Sequence, residues 1–123
     1  MNIHIINGRV VDPASGTDEK ADIAVADGKI AGIGSSIPAG FKAERTLDAS
    51  GCIVAPGLVD LAARLREPGY EHEGMLESEM AAAVAGGVTS LVCPPDTDPV
   101  LDEPGLVEML TFRAGKLPGA RLF

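Results

Sequence analysis

Residues 55–99 constrain the fold more strongly than any other part of the sequence. They read as an apolar strand, an acidic loop, an alanine-rich helix, a second apolar strand and a proline-rich turn. This order predicts a β-α-β unit, in which the two strands run parallel and the loops that follow them lie at one face of a sheet or barrel. Because folds of this kind carry their chemistry at that face, we expect the functional residues just after each strand.

Periodicity and helix-end signals predict the other elements of this part of the chain. Leu58–Ala63 is an apolar run interrupted only by Asp60, which predicts a parallel strand buried on both faces. Apolar residues spaced by three and four predict a helix over residues 73–86, with Gly86-Gly87 as its C-terminal stop. Further predicted elements are a second parallel strand, a second helix and the start of a third strand, at residues 88–93, 102–115 and 120–123.

The first third of the chain contains two dipeptides that favour β-hairpins. Asn7-Gly8 lies within the alternating segment 3–11, and Asp27-Gly28 lies within the alternating segment 21–33. Both dipeptides favour the two-residue type I′ turn, whose two central positions need positive φ. We therefore predict two hairpins in a small antiparallel sheet, separated by a turn cluster at Asp12–Gly16.

The charge of the chain excludes two classes of partner. The formal net charge is −8, and eleven acidic residues face only two basic ones between residues 60 and 110. An acidic surface repels phosphate backbones and anionic lipid, and aromatic residues make up only 3%, too few for a base-stacking platform. We therefore expect no nucleic acid and no membrane among the partners. The acidic stretch is either a solvated helix face or a patch for a basic partner protein.

Cysteine usage and the lack of targeting signals predict the compartment. Cys52 and Cys93 both lie in apolar strand contexts and are predicted to be buried free thiols of a reducing compartment. The first residues lack a basic region followed by a long apolar run, and no segment approaches the roughly 18 apolar residues of a membrane span. These features predict a cytoplasmic protein.

Two stretches carry a resemblance to a known family. The segment PGLVDLAARLREPG, followed by AAAVAGGVTSLVCPPDTDPV, resembles the start of a dihydroorotase, a cyclic amidase of the amidohydrolase superfamily. The opening Asn-Gly-x-Val-Val-Asp-Pro, followed by Ile-x-Val-x-Asp-Gly-Lys-Ile, resembles the same superfamily. Together these stretches extend the resemblance over nearly the whole chain.

The resemblance implies an α/β fold with two parts. Residues 1–54 would supply the N-terminal strands of a small β-sandwich, and residues 55–123 the start of a TIM-type (β/α)8 barrel with its first two βα units. A closed barrel of this type needs roughly 250 residues. We therefore expect this chain to be the N-terminal part of the protein, and to need the remainder of its own barrel or self-association to cover its edges.

The resemblance also locates the family's metal ligands, and the residues found there are not ligands. In the family the first barrel strand ends in Asp-x-His-x-His-x-Arg-Glu-Pro-Gly, and alignment on Asp60 and on residues 66–69 places the two histidines at Ala62 and Arg64. A His-x-His pair at a strand end presents both imidazoles to one metal ion, which is zinc in active members. Alanine has no donor atom and arginine is a permanent cation. With the His-x-His pair lost, we expect no metal and no catalytic residue in this chain.

The substrate-binding positions are only partly retained. The segment 93–99 aligns with Cys-Met-Pro-Asn-Thr-Asn-Pro of the family, so Asp96 stands where the resemblance implies a substrate-binding asparagine. A carboxylate there would repel an anionic substrate such as dihydroorotate. Arg66 is the one substrate-binding residue that the resemblance retains in this segment. His72 has no second histidine at ligand spacing, and we expect it to be a loop residue rather than a metal ligand.

Two functions follow from the resemblance. The first is a noncatalytic dihydroorotase-like subunit, a pseudo-dihydroorotase, of pyrimidine biosynthesis that supports the assembly of aspartate transcarbamoylase. The second is an active zinc-dependent cyclic amide hydrolase, either a dihydroorotase or an allantoinase- or hydantoinase-like enzyme acting on C–N bonds, with metal ligands from outside this chain. Ala62, Arg64 and Asp96 favour the first function.

Overall fold

The computed structural model describes all 123 residues, which form two compact units. The first unit comprises Met1–Pro56 and the second comprises Gly57–Phe123. Each unit has its own sheets, and both α-helices belong to the second. No helix has the length and apolar character needed to cross a bilayer.

The first unit contains two small mixed sheets. Its strands are β1 (Ile3–Ile6), β2 (Arg9–Asp12), β3 (Thr17–Lys20), β4 (Ile23–Ala26), β5 (Lys29–Ile33), β6 (Arg45–Asp48) and β7 (Ile53–Val54), with a short 3-10 helix at Gly34–Ser36. One sheet has the strand order β5-β4-β1-β6 and the other has the order β3-β2-β7. β6 pairs with β1 and β7 pairs with β2, both in parallel. The other strand pairs of this unit are antiparallel. The prediction of a single antiparallel sheet is therefore wrong.

The predicted hairpin at Asn7-Gly8 is not formed. β1 pairs with β4 and β6, whereas β2 pairs with β3 and β7, so the dipeptide carries the chain from one sheet to the other. Asn7 has a φ of +65°, but Gly8 lacks the positive φ that a type I′ turn needs at both positions. Gly8 instead permits close packing, because a Cβ at this position would lie 2.6 Å from Val54 Cγ2.

The second predicted hairpin is confirmed. β4 and β5 pair antiparallel on either side of Asp27-Gly28, which have φ values of +51° and +73°. The predicted turn at Asp12–Gly16 also forms, and it closes a further hairpin between β2 and β3. In that turn the Asp12 carboxylate accepts hydrogen bonds from the Ser15 hydroxyl (2.6 Å) and the Ala14 N–H (3.0 Å), which lower the pKa of Asp12.

The second unit is a parallel sheet with two helices. Its strands are β8 (Leu58–Asp60), β9 (Val88–Leu91) and β10 (Arg121–Leu122), and its helices are α1 (Leu76–Ala85) and α2 (Pro104–Ala114). The strand order is β10-β9-β8, and both pairs are parallel. The predicted β-α-β order is thus confirmed. Adjacent parallel strands in chain order, with a helix between each pair, occur both in β/α barrels and in the first half of a doubly wound sheet.

The core of the second unit joins the loop after β8 to both helices and to the sheet. It consists of buried apolar side chains, namely Leu65, Leu76, Met80, Leu91, Leu110, Ala114 and Ala120. Each of the larger side chains contributes about 1.5–3 kcal/mol through its burial. α1 begins at Leu76, later than predicted, because residues 70–73 form a turn in which the Glu73 N–H donates to the Tyr70 carbonyl (2.9 Å).

The burial predicted for the strand at Leu58–Ala63 is wrong. Leu58 and Val59 are 60% and 62% exposed, and Leu61 after them is 74% exposed. β8 lies at the edge of its sheet, and no other element of the second unit forms a layer that covers it. An apolar strand sequence therefore does not ensure burial within this segment.

The two cysteines are free, as predicted, but only one of them is partly buried. Cys93 follows β9 and is half-buried, and the loss of solvent there raises the pKa of its thiol. Cys52 is exposed, which contradicts the predicted burial. It precedes β7, a two-residue strand at the edge of its sheet, where few side chains surround it.

Candidate functional site

The loops that follow β8 and β9 meet at the carboxyl end of the sheet. The Val92 N–H donates to the Asp60 carbonyl (2.8 Å), and the Ala63 N–H donates to the Val92 carbonyl (3.0 Å). These hydrogen bonds continue the pairing of the two strands past their ends, so the loop after β8 is held beside the loop after β9. The expectation that both loops lie at one face is confirmed.

A cavity of about 280 Å³ lies between these two loops. Arg64, Arg66 and Asp96 line it, together with Leu65, Tyr70, Cys93, Pro94 and Thr97. Its volume is just below the range typical of small-molecule sites, about 300–1,000 Å³. Three charged residues that the family alignment singled out thus line one cavity, whereas Ala62 is exposed and does not line it.

Arg64 and Asp96 form an ion pair inside this cavity. Oδ2 of Asp96 accepts from Nε of Arg64 at 2.8 Å and lies 2.7 Å from Nη2. The two side chains are 57% and 48% exposed, so water screens part of the attraction. The Arg64 guanidinium offsets the charge of Asp96, so the expectation of an unpaired carboxylate at this position is wrong.

Arg66 is held by a second ion pair at the same cavity. Its Nη1 lies 3.0 Å from Oε2 of Glu73, which belongs to the turn before α1. The backbone of Arg66 is left-handed, with a φ of +66°, and its carbonyl accepts the Tyr70 N–H at 2.8 Å. A non-glycine residue with this φ is uncommon and carries some strain. The cavity therefore contains two guanidinium groups, each with one carboxylate partner.

Glu67 is a structural residue that sequence reasoning missed. It is 1% exposed, and its Oε1 accepts the N–H of Leu76, the first residue of α1, at 3.0 Å. Its Oε2 lies 2.6 Å from Nη1 of Arg113 near the end of α2. A carboxylate at a helix N-terminus also interacts favourably with the helix dipole. No local pattern could have revealed this role, because Arg113 is far along the chain.

The neighbouring loop contains one more carboxylate with a defined contact. The Gly69 N–H donates to both carboxylate oxygens of Glu71, at 3.1 and 3.0 Å, and this hydrogen bonding lowers the pKa of Glu71. At the end of β8, Oδ1 of Asp60 accepts the Ala62 N–H at 2.9 Å. Both carboxylates therefore order the backbone of this loop.

The residues at the end of β8 do not fit a zinc ion. Ala62 offers no donor atom, and Arg64 is a cation that already has Asp96 as its partner. His72 is 74% exposed, and its Nε2 lies 3.9 Å from Oε1 of Glu73. No three or more His, Cys, Asp or Glu side chains are grouped so that they could hold a metal ion. The other histidine of the chain, His4, belongs to the first unit and not to this loop.

Comparison with known proteins gives relatives along the whole chain. A dihydroorotase-like protein of Pseudomonas aeruginosa is 51% identical over all 123 residues, which are 29% of its own length. A dihydroorotase of Syntrophotalea carbinolica is 42% identical over the same 123 residues, 28% of its length. The chain thus spans less than a third of these curated relatives. No protein-family model matches the sequence.

The fold has a counterpart among solved structures. The L-hydantoinase (dihydropyrimidinase) of Arthrobacter aurescens superimposes with a TM-score of 0.79 at 31% identity, over 93% of this chain and 25% of the hydantoinase. Its likeness supports the predicted fold class, in which the mixed sheets of the first unit correspond to the β-sandwich of amidohydrolases. With the relatives above, it shows that this chain belongs to the dihydroorotase-like proteins of the amidohydrolase superfamily.

Proposed function

We propose that this chain is part of a noncatalytic dihydroorotase-like protein that supports the assembly of the aspartate transcarbamoylase catalytic chain in pyrimidine biosynthesis, in the cytoplasm. The observation that supports the absence of catalysis is the ion pair between Arg64 and Asp96 in the cavity. The partner enzyme comes from the family resemblance alone, and so does the division into sandwich strands at 1–54 and a barrel start at 55–123.

The chemistry of the ion pair supports the loss of hydrolysis. By the resemblance, Ala62 and Arg64 stand at the positions of metal-binding histidines, and a hydrolytic metal activates water and polarises the amide carbonyl. Two unit charges about 4 Å apart have an interaction energy of ~4 kcal/mol at an effective dielectric constant of about 20. A divalent ion beside Arg64 would therefore meet roughly twice that repulsion. Asp96 offsets part of it, but its carboxylate is already engaged by the guanidinium.

By the resemblance, a substrate would bind beside Arg66 and Asp96, where the two ion pairs lie. Arg66 is retained, but Glu73 lies 3.0 Å from its guanidinium and competes with any substrate carboxylate. Four charged groups in two pairs leave the cavity with no net charge from these residues. An anionic substrate would therefore have to displace a carboxylate before it could bind, which lowers its affinity.

The test is a gentle purification of the full-length protein from its own cells, followed by metal analysis and an assay with dihydroorotate. We expect aspartate transcarbamoylase in stoichiometric amount, no zinc bound to this subunit and no turnover. As a matched set, Ala62→His/Arg64→His is compared with the same pair combined with Asp96→Asn. Both variants are expected to gain zinc affinity, and only the triple variant is expected to gain measurable turnover. Turnover by the unaltered protein would contradict the proposal.

The alternative is an active zinc-dependent cyclic amide hydrolase, a dihydroorotase or an allantoinase- or hydantoinase-like enzyme. The specific observation that favours it is that Arg66 lines the cavity in a fold that matches a hydantoinase. In that case the metal ligands come from parts of the protein outside these 123 residues. About one or two zinc ions per chain together with turnover, in the absence of a partner protein, would establish this alternative.

A further inference from the structure

The outer side of α2 carries a second apolar surface. Leu110 and Ala114 are buried in the core, but Met109 and Phe112 are 40% and 64% exposed. These two side chains line a shallow concavity together with Gly105, Glu108 and Thr111. A helix that is apolar on two sides has a surface that one core does not cover. We call the row formed by Glu108, Met109, Phe112 and Lys116 the outer α2 surface.

The charges of the outer α2 surface are arranged symmetrically about Phe112. Glu108 lies four residues before Phe112, and Lys116 lies four residues after it. The helical path continues beyond α2, since the Lys116 N–H donates to the Arg113 carbonyl (3.1 Å). Lys116 Nζ lies 4.1 Å from the centre of the Phe112 ring, so both side chains are on one side. An acid, an aromatic ring and a base therefore follow one another along a single row.

We propose that the outer α2 surface is a contact between two copies of this chain, in which two α2 helices pack antiparallel across a twofold axis at Phe112. In an antiparallel pair centred on residue 112, Glu108 of each copy lies opposite Lys116 of the other. Met109 lies opposite Gly115, which has no side chain and leaves room for it. A twofold interface requires a surface that is complementary to itself, and this row meets that requirement.

The two kinds of contact have different roles. Burial of Phe112 and Met109 provides most of the attraction, because apolar area removed from water contributes about 25 cal/mol per Å². The two exposed ion pairs contribute less and mainly fix the register of the helices. A contact made by one helix from each copy is smaller than a standard interface of about 1,600 Å², so the association is weak and concentration-dependent. This inference does not depend on the proposed function.

The first experiment measures self-association of the full-length protein by sedimentation equilibrium up to about 100 μM, where weak interfaces are populated. Phe112→Glu places two like charges at the twofold axis and is expected to weaken self-association about 30-fold or more. The matched control is Ile30→Glu, which changes an equally exposed (64%) apolar residue of the first unit and should leave association unchanged. Circular dichroism checks that both variants are folded.

The second experiment tests the register. Glu108→Lys and Lys116→Glu each create two repulsive pairs in a homodimer and are each expected to weaken self-association about tenfold. A mixture of the two variants restores both attractive pairs, so heterodimers should form with the affinity of the unaltered protein. A mixture that associates no better than either variant would overturn the antiparallel register. The proposal is overturned if the full-length protein is monomeric, or if Phe112→Glu lowers the melting temperature without changing association.

Discussion

Two of the ion pairs in the second unit differ mainly in burial, and the difference separates a pair that holds the fold from a pair that lines the cavity. Glu67 is 1% exposed and joins Arg113 to the first N–H of α1. Arg64 and Asp96 lie in the cavity with about half of each side chain in water. The loop after β8 supplies one member of each pair, Glu67 to the first and Arg64 to the second.

This contrast teaches that charge in the loop after β8 has to be interpreted residue by residue. A buried carboxylate that loses its partners cannot be rehydrated, whereas an exposed one can, so the same ion contact differs several-fold in its effect on stability. Substitutions and salt should therefore act unequally on the two pairs, with the largest effect at the buried carboxylate.

Glu67→Ala should lower the free energy of unfolding of the second unit by about 3 kcal/mol, because it leaves Arg113 and the N–H of Leu76 without their acceptor. The measurement is urea denaturation of the full-length protein. Glu77→Ala is the control, since Glu77 is exposed in α1, and its loss should change the stability by less than about 0.5 kcal/mol. Equal effects of the two substitutions would contradict the contrast.

Arg64→Ala and Asp96→Ala should each change the free energy of unfolding by less than about 1 kcal/mol, since water solvates whichever charge remains. A double-mutant cycle on these two positions should give a coupling of about 0.5 kcal/mol. A coupling above about 2 kcal/mol would mean that the pair is effectively buried in the full-length protein.

Salt should affect the two pairs differently. At about 1 M salt the screening length falls to roughly 3 Å, so the coupling between Arg64 and Asp96 should approach zero. The coupling between Glu67 and Arg113, measured by the same type of cycle, should fall much less, because the carboxylate is out of contact with solvent. Parallel loss of both couplings would show that Glu67 is accessible to ions.

The smallest expected effect concerns an exposed carboxylate of the first unit. The Ser50 hydroxyl (2.6 Å) and the Asn7 amide (3.1 Å) donate to Oδ1 of Asp48 and lower its pKa. A depressed pKa means that Asp48 stabilises the fold above the unfolded value of about 3.9, and that this contribution is lost as the pH falls through the folded value. Ser50→Ala should raise the pKa seen in an NMR titration of Asp48, and an unchanged midpoint would exclude the hydroxyl as the cause.

The sequence predicted the secondary structure correctly where local chemistry decides the backbone conformation. Asp27-Gly28 forms its hairpin because both residues adopt positive φ. α1 ends where Gly86-Gly87 was predicted to stop it, since Gly87 has a φ of +83°. Asn7-Gly8 has the same composition as a hairpin turn, but its neighbours pair with strands far along the chain. Sequence periodicity carries no information about which distant strand is the partner.

The candidate site was predictable in its residues but not in its contacts. Alignment of motif positions identified Arg64, Arg66 and Asp96, and the parallel strands bring all three to one cavity. That Arg64 and Asp96 neutralise each other could not be derived, because the two lie on different loops. The structural role of Glu67 could not be predicted for the same reason, since its partner Arg113 lies on a helix far along the chain.

The short connection at Asn7-Gly8 has a consequence for how the first unit opens. β1 is an interior strand of one sheet and β2 is the central strand of the other, and only two residues separate them. Neither strand can leave its sheet without pulling on the other, and Gly8 is packed against Val54. The amide protons of both central strands should therefore exchange with solvent through one cooperative opening, so that the two sheets behave as a single folding unit.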